Sequence, residues 1–413
     1  MIIIITFIVV LCFSLMWPDT NKDIFPETVP EGLGVSIHFT GNPIDIDLIA
    51  DAGFKIVRTD LFWSSIEKEK GNYDFKTNGY DLLTDKLVEQ GIRPYYILAY
   101  SNKIYEENKS IVTRKGRNAF LRYVDATTSR YNNKGIVWEV WNEPNIGHWN
   151  PKPNFNEYSS LVKAASKVIK KNDPSGIVVA PALAGINYES LMWLEEIFKR
   201  GVLDYIDAIS VHPYRAEDPE TVAKDYQSLR RLIKKYTNEK IPIVSGEWGY
   251  STGKGWSGLN LSEQQQANYI VRMFLVNFLY DVPISILYDW KNDGTDINNG
   301  EHNFGIRQNN VLLSKKAYNA INTLTYILSG YEFSKRIETS NSNEYFIEFI
   351  NKKGEKVIVA WTSGRKHQID LPIKNIKGKI FMMEGEQINF KKDQIPSKLV
   401  ITSSPQYIIL NKE

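Results

Sequence analysis

Ile136-Val-Trp-Glu-Val-Trp-Asn-Glu-Pro-Asn145 is the stretch from which the fold can be read. Ile136, Val137, Trp138, Val140 and Trp141 form a β-branched and aromatic run, the pattern of a strand covered on both faces, as in a parallel sheet. Pro144 ends it. Proline cannot donate to a strand ladder and disfavours helical geometry in the residue before it. Glu143 is therefore expected in extended backbone at the carboxyl end of the strand, where a loop begins. A glutamate there, beside Trp141 and Asn142, is placed for acid chemistry, although alone it is equally readable as a solvated or ion-paired loop residue.

Working outward, seven more apolar runs surround this one: 33–39, 54–60, 94–100, 177–182, 205–211, 241–247 and 283–289. Segments with helical periodicity separate them, at 43–52, 80–90, 117–131, 156–171, 189–200, 219–236 and 262–279, and an eighth follows at 315–329. Gly53, Gly91, Gly201 and Gly330 stand where helix C-caps belong, and Ser262-Glu-Gln-Gln265 reads as a capping box. Eight βα units imply a (β/α)₈ TIM barrel. A doubly wound sheet lacks support, because no Gly-rich phosphate loop follows the first strand. Beyond about residue 330 the helical signal stops, and short alternating strands at 344–351, 356–362, 368–371, 379–383 and 399–410 predict a small C-terminal β-sandwich. The expected division is a signal peptide or N-terminal anchor at 1–17, a linker at 18–31, a catalytic barrel at 32–332 and an accessory β-sandwich at 333–413.

With 413 residues, 10 Trp and 23 Tyr, the chain can fill a large core and still line a cleft with aromatics. A net charge of +2 without a basic block argues against a nucleic-acid partner. Cys12, the single cysteine, excludes an internal disulfide and a thiolate metal site. It lies in an apolar run at 2–16 resembling a secretory h-region, so export to the cell envelope or exterior is expected, with any membrane contact made through that segment. No His-x-His or His-Glu-x-x-His spacing occurs, and neither a metal nor another cofactor is expected.

In such a barrel the carboxyl ends of the strands converge on one mouth. The seventh run ends in Gly246-Glu247, so two glutamates finish strands four and seven across one opening, with Gly246 allowing close backbone approach. Facing carboxylates in an aromatic cleft suit glycosidic cleavage, one protonating the leaving oxygen while the other attacks the sugar. At about 5 Å and an effective dielectric of about 20, the pair resists double ionisation by roughly 3 kcal/mol, enough to keep one member protonated. Arg58 could hold Glu247 ionised. Tyr214 could donate to Glu247, and His212 could orient a neighbour or a hydroxyl. Asn142 could bind the sugar 2-hydroxyl. Trp63, Tyr100, Trp149, Trp248 and Trp290 are candidate stacking surfaces, each equally readable as core.

Trp-Asn-Glu-Pro-Asn at strand four with Gly-Glu-Trp-Gly at strand seven resembles the clan A glycoside hydrolases. The wider set is similar to family 39, and within it to the endoglycosidases of bacterial exopolysaccharide clusters, of the Psl type. It comprises Ile37-His-Phe-Thr40, Arg58-Thr-Asp60 with Trp63, Tyr100-Ser-Asn102, Val211-His-Pro-Tyr-Arg215, Tyr288-Asp-Trp290 with Asp293-Gly294, and Glu301-His-Asn-Phe-Gly305. The resemblance implies a retaining mechanism with Glu143 as acid/base and Glu247 as nucleophile, His38 and His302 among the sugar-binding residues, and internal cutting of a polysaccharide. The competing readings are a carbohydrate-binding barrel without catalysis and a transglycosylase using the same two acids.

Overall fold

The computed structural model describes residues 25–38, 42–372, 377–390 and 394–411. The expected leader with Cys12, the first part of the linker, and Phe39 and Thr40 lie outside the described residues. Each predicted run up to 289 holds a parallel strand: β1 (Leu33–Ser36), β2 (Ile56–Phe62), β3 (Arg93–Ala99), β4 (Val137–Val140), β5 (Ile177–Ala184), β6 (Ala208–His212), β7 (Ile243–Trp248) and β8 (Ile284–Leu287). They pair in order, and β8 returns to β1, closing the barrel. Helices fill the eight predicted helical segments. The helix Glu263–Leu279 opens on the Ser262/Gln265 capping box, whose two side chains satisfy backbone N–H groups left free at a helix start. The short helix Trp63–Ile66 was not predicted, since one turn shows no periodicity.

Two-residue alternation decides what enters the barrel. Ile56, Tyr95, Val137, Ile177, Val179, Val244, Ile284 and Ile286 form an apolar plug inside it. Neighbours such as Val57, Trp138 and Val178 belong to the layer between strands and helices. Two residues on from Val137, and so on the same face of β4, is Glu139, fully buried in the barrel interior.

The C-terminal part is a six-stranded antiparallel sheet. Its strands are β9 (Tyr331–Arg336), β10 (Glu344–Asn351), β11 (Lys356–Thr362), β13 (Gly378–Met382), β14 (Gln387–Ile388) and β16 (Gln406–Leu410). A two-stranded sheet, β12 (His367–Asp370) with β15 (Lys398–Ile401), lies beside it. The run read as one strand at 399–410 is two strands in different sheets, because Ser403-Ser-Pro405 interrupts the ladder. Phe346, Ile358, Ala360 and Ile408 pack with Leu399 and Ile401, while the alternate residues Ile347, Phe349, Val359 and Trp361 join the main core. Trp361 Nε1 donates to Glu220 Oε1 (2.7 Å), and Arg272 donates to both Glu220 oxygens (2.7 and 2.5 Å), tying sheet to barrel.

The end of the expected linker is not free chain. Val29 is fully buried, its N–H donates to the Tyr331 carbonyl (2.8 Å), and Thr28 bridges to Glu332.

Candidate active site

Glu143 and Glu247 face one another at the carboxyl ends of β4 and β7. A carboxylate oxygen of each and a ring nitrogen of His212 all lie within 4.8 Å of one another. The backbone at Glu143 is not the extended conformation that Pro144 predicts. Trp141 (φ 72°) and Glu143 (φ 50°) both occupy the left-handed region, at a cost of order 1–3 kcal/mol each. Tertiary bonds hold them there: the Glu143 N–H donates to the Ala182 carbonyl (3.1 Å), at an irregularity in β5, and Trp141 Nε1 donates to the His148 carbonyl (3.1 Å). On β7, Gly246 makes room for the barrel interior, since a Cβ there would lie 2.3 Å from Ser210 Oγ.

Arg58 links the two ends of the site. Its Nη1 donates to Glu247 Oε2 (2.5 Å), Nε and Nη2 donate to Glu139 Oε2 (2.9 and 2.7 Å), and Nη2 also donates to Asn142 Oδ1 (2.7 Å). Tyr95 donates to the other Glu139 oxygen (2.8 Å), so the buried Glu139 is held by guanidinium and phenol together. Tyr214 donates to Glu247 Oε1 (2.9 Å). Burial pushes Glu247 up, but His212 and Arg58 facing it, with the bonds from Tyr214 and Arg58, bring it down to about 2. His212 Nδ1 is 2.9 Å from Glu143 Oε1, and His148 Nδ1 is 3.6 Å from Glu143 Oε2.

Ser36, His38, Arg58, Asp60, Glu247 and Tyr288 are among the residues lining a cleft of about 260 Å³. Burial, with the negative charge of Glu247 and Glu139, raises Asp60 to about 6 against the opposing pull of Arg58 and His38. Among the described residues, Asp60 Oδ1 and Ser36 Oγ are buried without a hydrogen-bond partner. His38 Nδ1 is 2.9 Å from Asp293 Oδ2. Burial opposes its charge, yet Asp293, Asp289 and Glu247 raise His38 to about 9.

Among the described residues, two groups are compact enough to hold a cation, His38 with Asp289 and Asp293, and Glu143 with His212 and Glu247. In the first, His38 Nδ1 is the ring nitrogen that faces Asp293. In the second, Arg58 and Tyr214 already occupy the oxygens of Glu247.

Of the residues predicted for the site, Arg58, Asn142, His212, Tyr214 and His38 gather with the two glutamates, and Tyr100 stands at the rim against Trp141 and His148. Four tryptophans do not join them. Trp63 is buried between Tyr105 and Tyr123 and donates to Glu67, and Trp149 is buried against Trp141 and Tyr158. Trp248 donates to Ser285 Oγ under Phe274, and Trp290 donates to Asp45 beside Tyr318. The cause for Trp248 is alternation: it follows Glu247 on the strand and so points to the opposite, helix-covered face. His302 packs against Gly294 and does not line the cleft.

Sequence reading gave no role to Glu139, Asp60, His148, Ser36 or Tyr288. Tyr288 stands in the quoted Tyr288-Asp-Trp290 motif, and the residue pattern itself held a signal for two others. Glu139 is a charge in mid-strand where both faces are apolar, and Asp60 lies two residues after Arg58, hence on its face. His148 sits in an irregular loop and carries no such signal.

The family description "Cellulase (glycosyl hydrolase family 5)" matches residues 31–295. The aryl-phospho-beta-D-glucosidase BglA of Bacillus subtilis (strain 168) is 25% identical over 271 residues, covering 62% of this chain and 55% of that protein. A beta-xylosidase of Geobacillus stearothermophilus is 24% identical over 207 residues, covering 41% and 40%. The chain thus spans about half the length of the curated relatives it matches. Among solved structures, a family 39 glycoside hydrolase from Bacteroides cellulosilyticus WH2 superposes with a TM-score of 0.79 at 22% identity, covering 93% of this chain and 81% of that one. A GH39 beta-xylosidase from Caulobacter crescentus gives 0.67 at 16% identity, covering 94% and 98%. These likenesses show a shared fold, a barrel with an antiparallel sheet domain. With the family description spanning more than half of its residues, the chain belongs to the cellulase family, glycosyl hydrolase family 5, among the clan A glycoside hydrolases.

Proposed function

We propose that this protein is a retaining glycoside hydrolase with Glu247 as nucleophile and Glu143 as acid/base. The observation that carries the reading is the separation of the two carboxylates, within 4.8 Å at their facing atoms. Retention uses carboxyl groups about 5–5.5 Å apart, whereas inversion needs about 6.5–9.5 Å to seat a water between acid and base. A Glu247 oxygen attacks the anomeric carbon, the glycosidic C–O bond breaks, and the Glu143 proton goes to the departing oxygen. Water then attacks the same carbon, giving its proton to Glu143 as the ester bond to Glu247 breaks. Arg58 and Tyr214 support this by keeping the nucleophile charged. The unpartnered Asp60 Oδ1 and Ser36 Oγ offer sugar hydroxyls acceptors on the floor of the cleft.

The substrate we infer is an extracellular or cell-envelope polysaccharide, cut internally, as the resemblance to the family 39 exopolysaccharide-cluster enzymes implies. The ordered motifs from Arg58 to Gly305, the likeness to a family 39 structure and the apolar N-terminal run support this. The beta-glucosidase and beta-xylosidase names of its relatives support a β-linked sugar. Incubation with a panel of bacterial and plant polysaccharides, with fragments sized and the newborn anomer followed by NMR, tests both levels. Retained configuration with an early fall in polymer length is expected. An inverted product, or full activity in Glu247→Gln, would sink the mechanism, and release of monosaccharide alone would sink internal cutting.

A further inference from the structure

Tyr100 connects the catalytic cleft to a second hollow. Its ring meets Trp141 at 5.3 Å and His148 at 5.9 Å, both edge to face, and the Lys109 ammonium stands 3.7 Å from its centroid. Beyond the ring, about 1060 Å³ of open space is lined by Tyr100 and Lys109 together with Ser64, Lys68, Asn102 and Lys103. One acid in that lining, Glu67, is committed elsewhere, accepting from Trp63 Nε1, the Gly71 N–H and Tyr105. Glu107 is the other. Among the described residues, none of the three lysines has a carboxylate within 4 Å, and Lys109 is half-buried. Burial lowers Lys109, while Asp60 and Glu143 pull it the other way, which places the ammonium within electrostatic reach of the catalytic acid without pairing it.

Direction follows from the chemistry. The acid delivers its proton to the leaving-group oxygen, so the sugar beyond the cleaved bond lies on the Glu143 side, toward His148, Tyr100 and Lys109. A half-buried ammonium held only by a ring face keeps N–H donors for an incoming anion. A charge-assisted bond to carboxylate or phosphate is stronger than a cation–π contact of about 0.5–2 kcal/mol. We propose that this hollow is the leaving-group sugar site and that Lys109 selects there a saccharide bearing an anionic substituent, a carboxylate or a phosphate. The proposal rests on the glycosidase reading above.

The test compares kcat/KM for 4-carboxyphenyl and 4-phosphonophenyl β-xylosides and β-glucosides with the 4-carbamoylphenyl glycoside of the same sugar, in the wild type, Lys109→Met and Lys109→Arg. The acid-to-amide ratio is expected to fall about tenfold in Lys109→Met and to recover in Lys109→Arg. In the wild type it should shrink with added salt, as screening requires. The carboxylate and phosphonate arms tell the two anions apart. An unchanged ratio in Lys109→Met overturns the proposal, because a lysine that only props Tyr100 would slow charged and neutral substrates alike. Failure of the glycosidase reading looks different: no glycoside is cleaved. Calorimetric titration of Glu247→Gln with oligogalacturonate, a phosphorylated oligosaccharide and a neutral oligosaccharide then still decides the matter. An anion preference removed by adding Lys109→Met supports the site, and no preference refutes it.

Discussion

Asp60→Asn should make the protein more stable and less active, and by amounts that depend on pH. In the folded chain Asp60 is raised from 3.8 to about 6, chiefly by burial, so the fold favours its protonated form. The sign is therefore a penalty. It is absent below about pH 3.8, accumulates as pH rises to about 6, and is constant above. A shift of that size corresponds to roughly 3 kcal/mol at neutral pH, an upper bound because the asparagine amide must also be accommodated. The variant should gain about 1–3 kcal/mol over the wild type in urea unfolding at pH 8 and close to nothing at pH 4. Activity should move oppositely. If Oδ1 accepts a sugar hydroxyl, losing a charged hydrogen bond of about 1.5–3 kcal/mol lowers kcat/KM by roughly 10–150-fold. A stability gain equal at both pH values, or none at pH 8, would refute the argument that buried charge at Asp60 strains the fold.

Glu143→Gln should slow hydrolysis of glycosides with poor leaving groups by roughly 10²–10⁴-fold and barely touch activated aryl glycosides, since only the former need a proton; equal losses would count against an acid role. Gly246→Ala should destabilise by about 1–3 kcal/mol through the 2.3 Å approach to Ser210 Oγ. Adding Ser210→Ala should restore much of this, and simple additivity in denaturant titrations would contradict it. Arg272→Met leaves Glu220 buried without its cation, so a loss of about 3–5 kcal/mol is expected in urea unfolding, and a loss under 1 kcal/mol would show the sheet is held otherwise.

Much of this protein is set locally and so was legible in its sequence. Eight apolar runs, the capping box at Ser262 and the glycines ending helices dictate strand and helix order, because periodicity and capping depend on neighbours a few positions apart. Placing Glu143 and Glu247 at strand ends followed from the same local rules once a barrel was recognised. What the tertiary structure alone decided is which way side chains point and what they meet. Trp248 is the exception, since alternation, a local rule, already turns it away from the cleft that Glu247 beside it enters. Packing claimed Trp63, Trp149 and Trp290 for the core. The left-handed turn at Glu143 contradicts the preference imposed by Pro144, and it stands only because Ala182, from another strand, takes its N–H. Arg58, Glu139 and Tyr95 come from three strands, and their mutual satisfaction in a water-poor interior is a property of the closed barrel that no one segment carries.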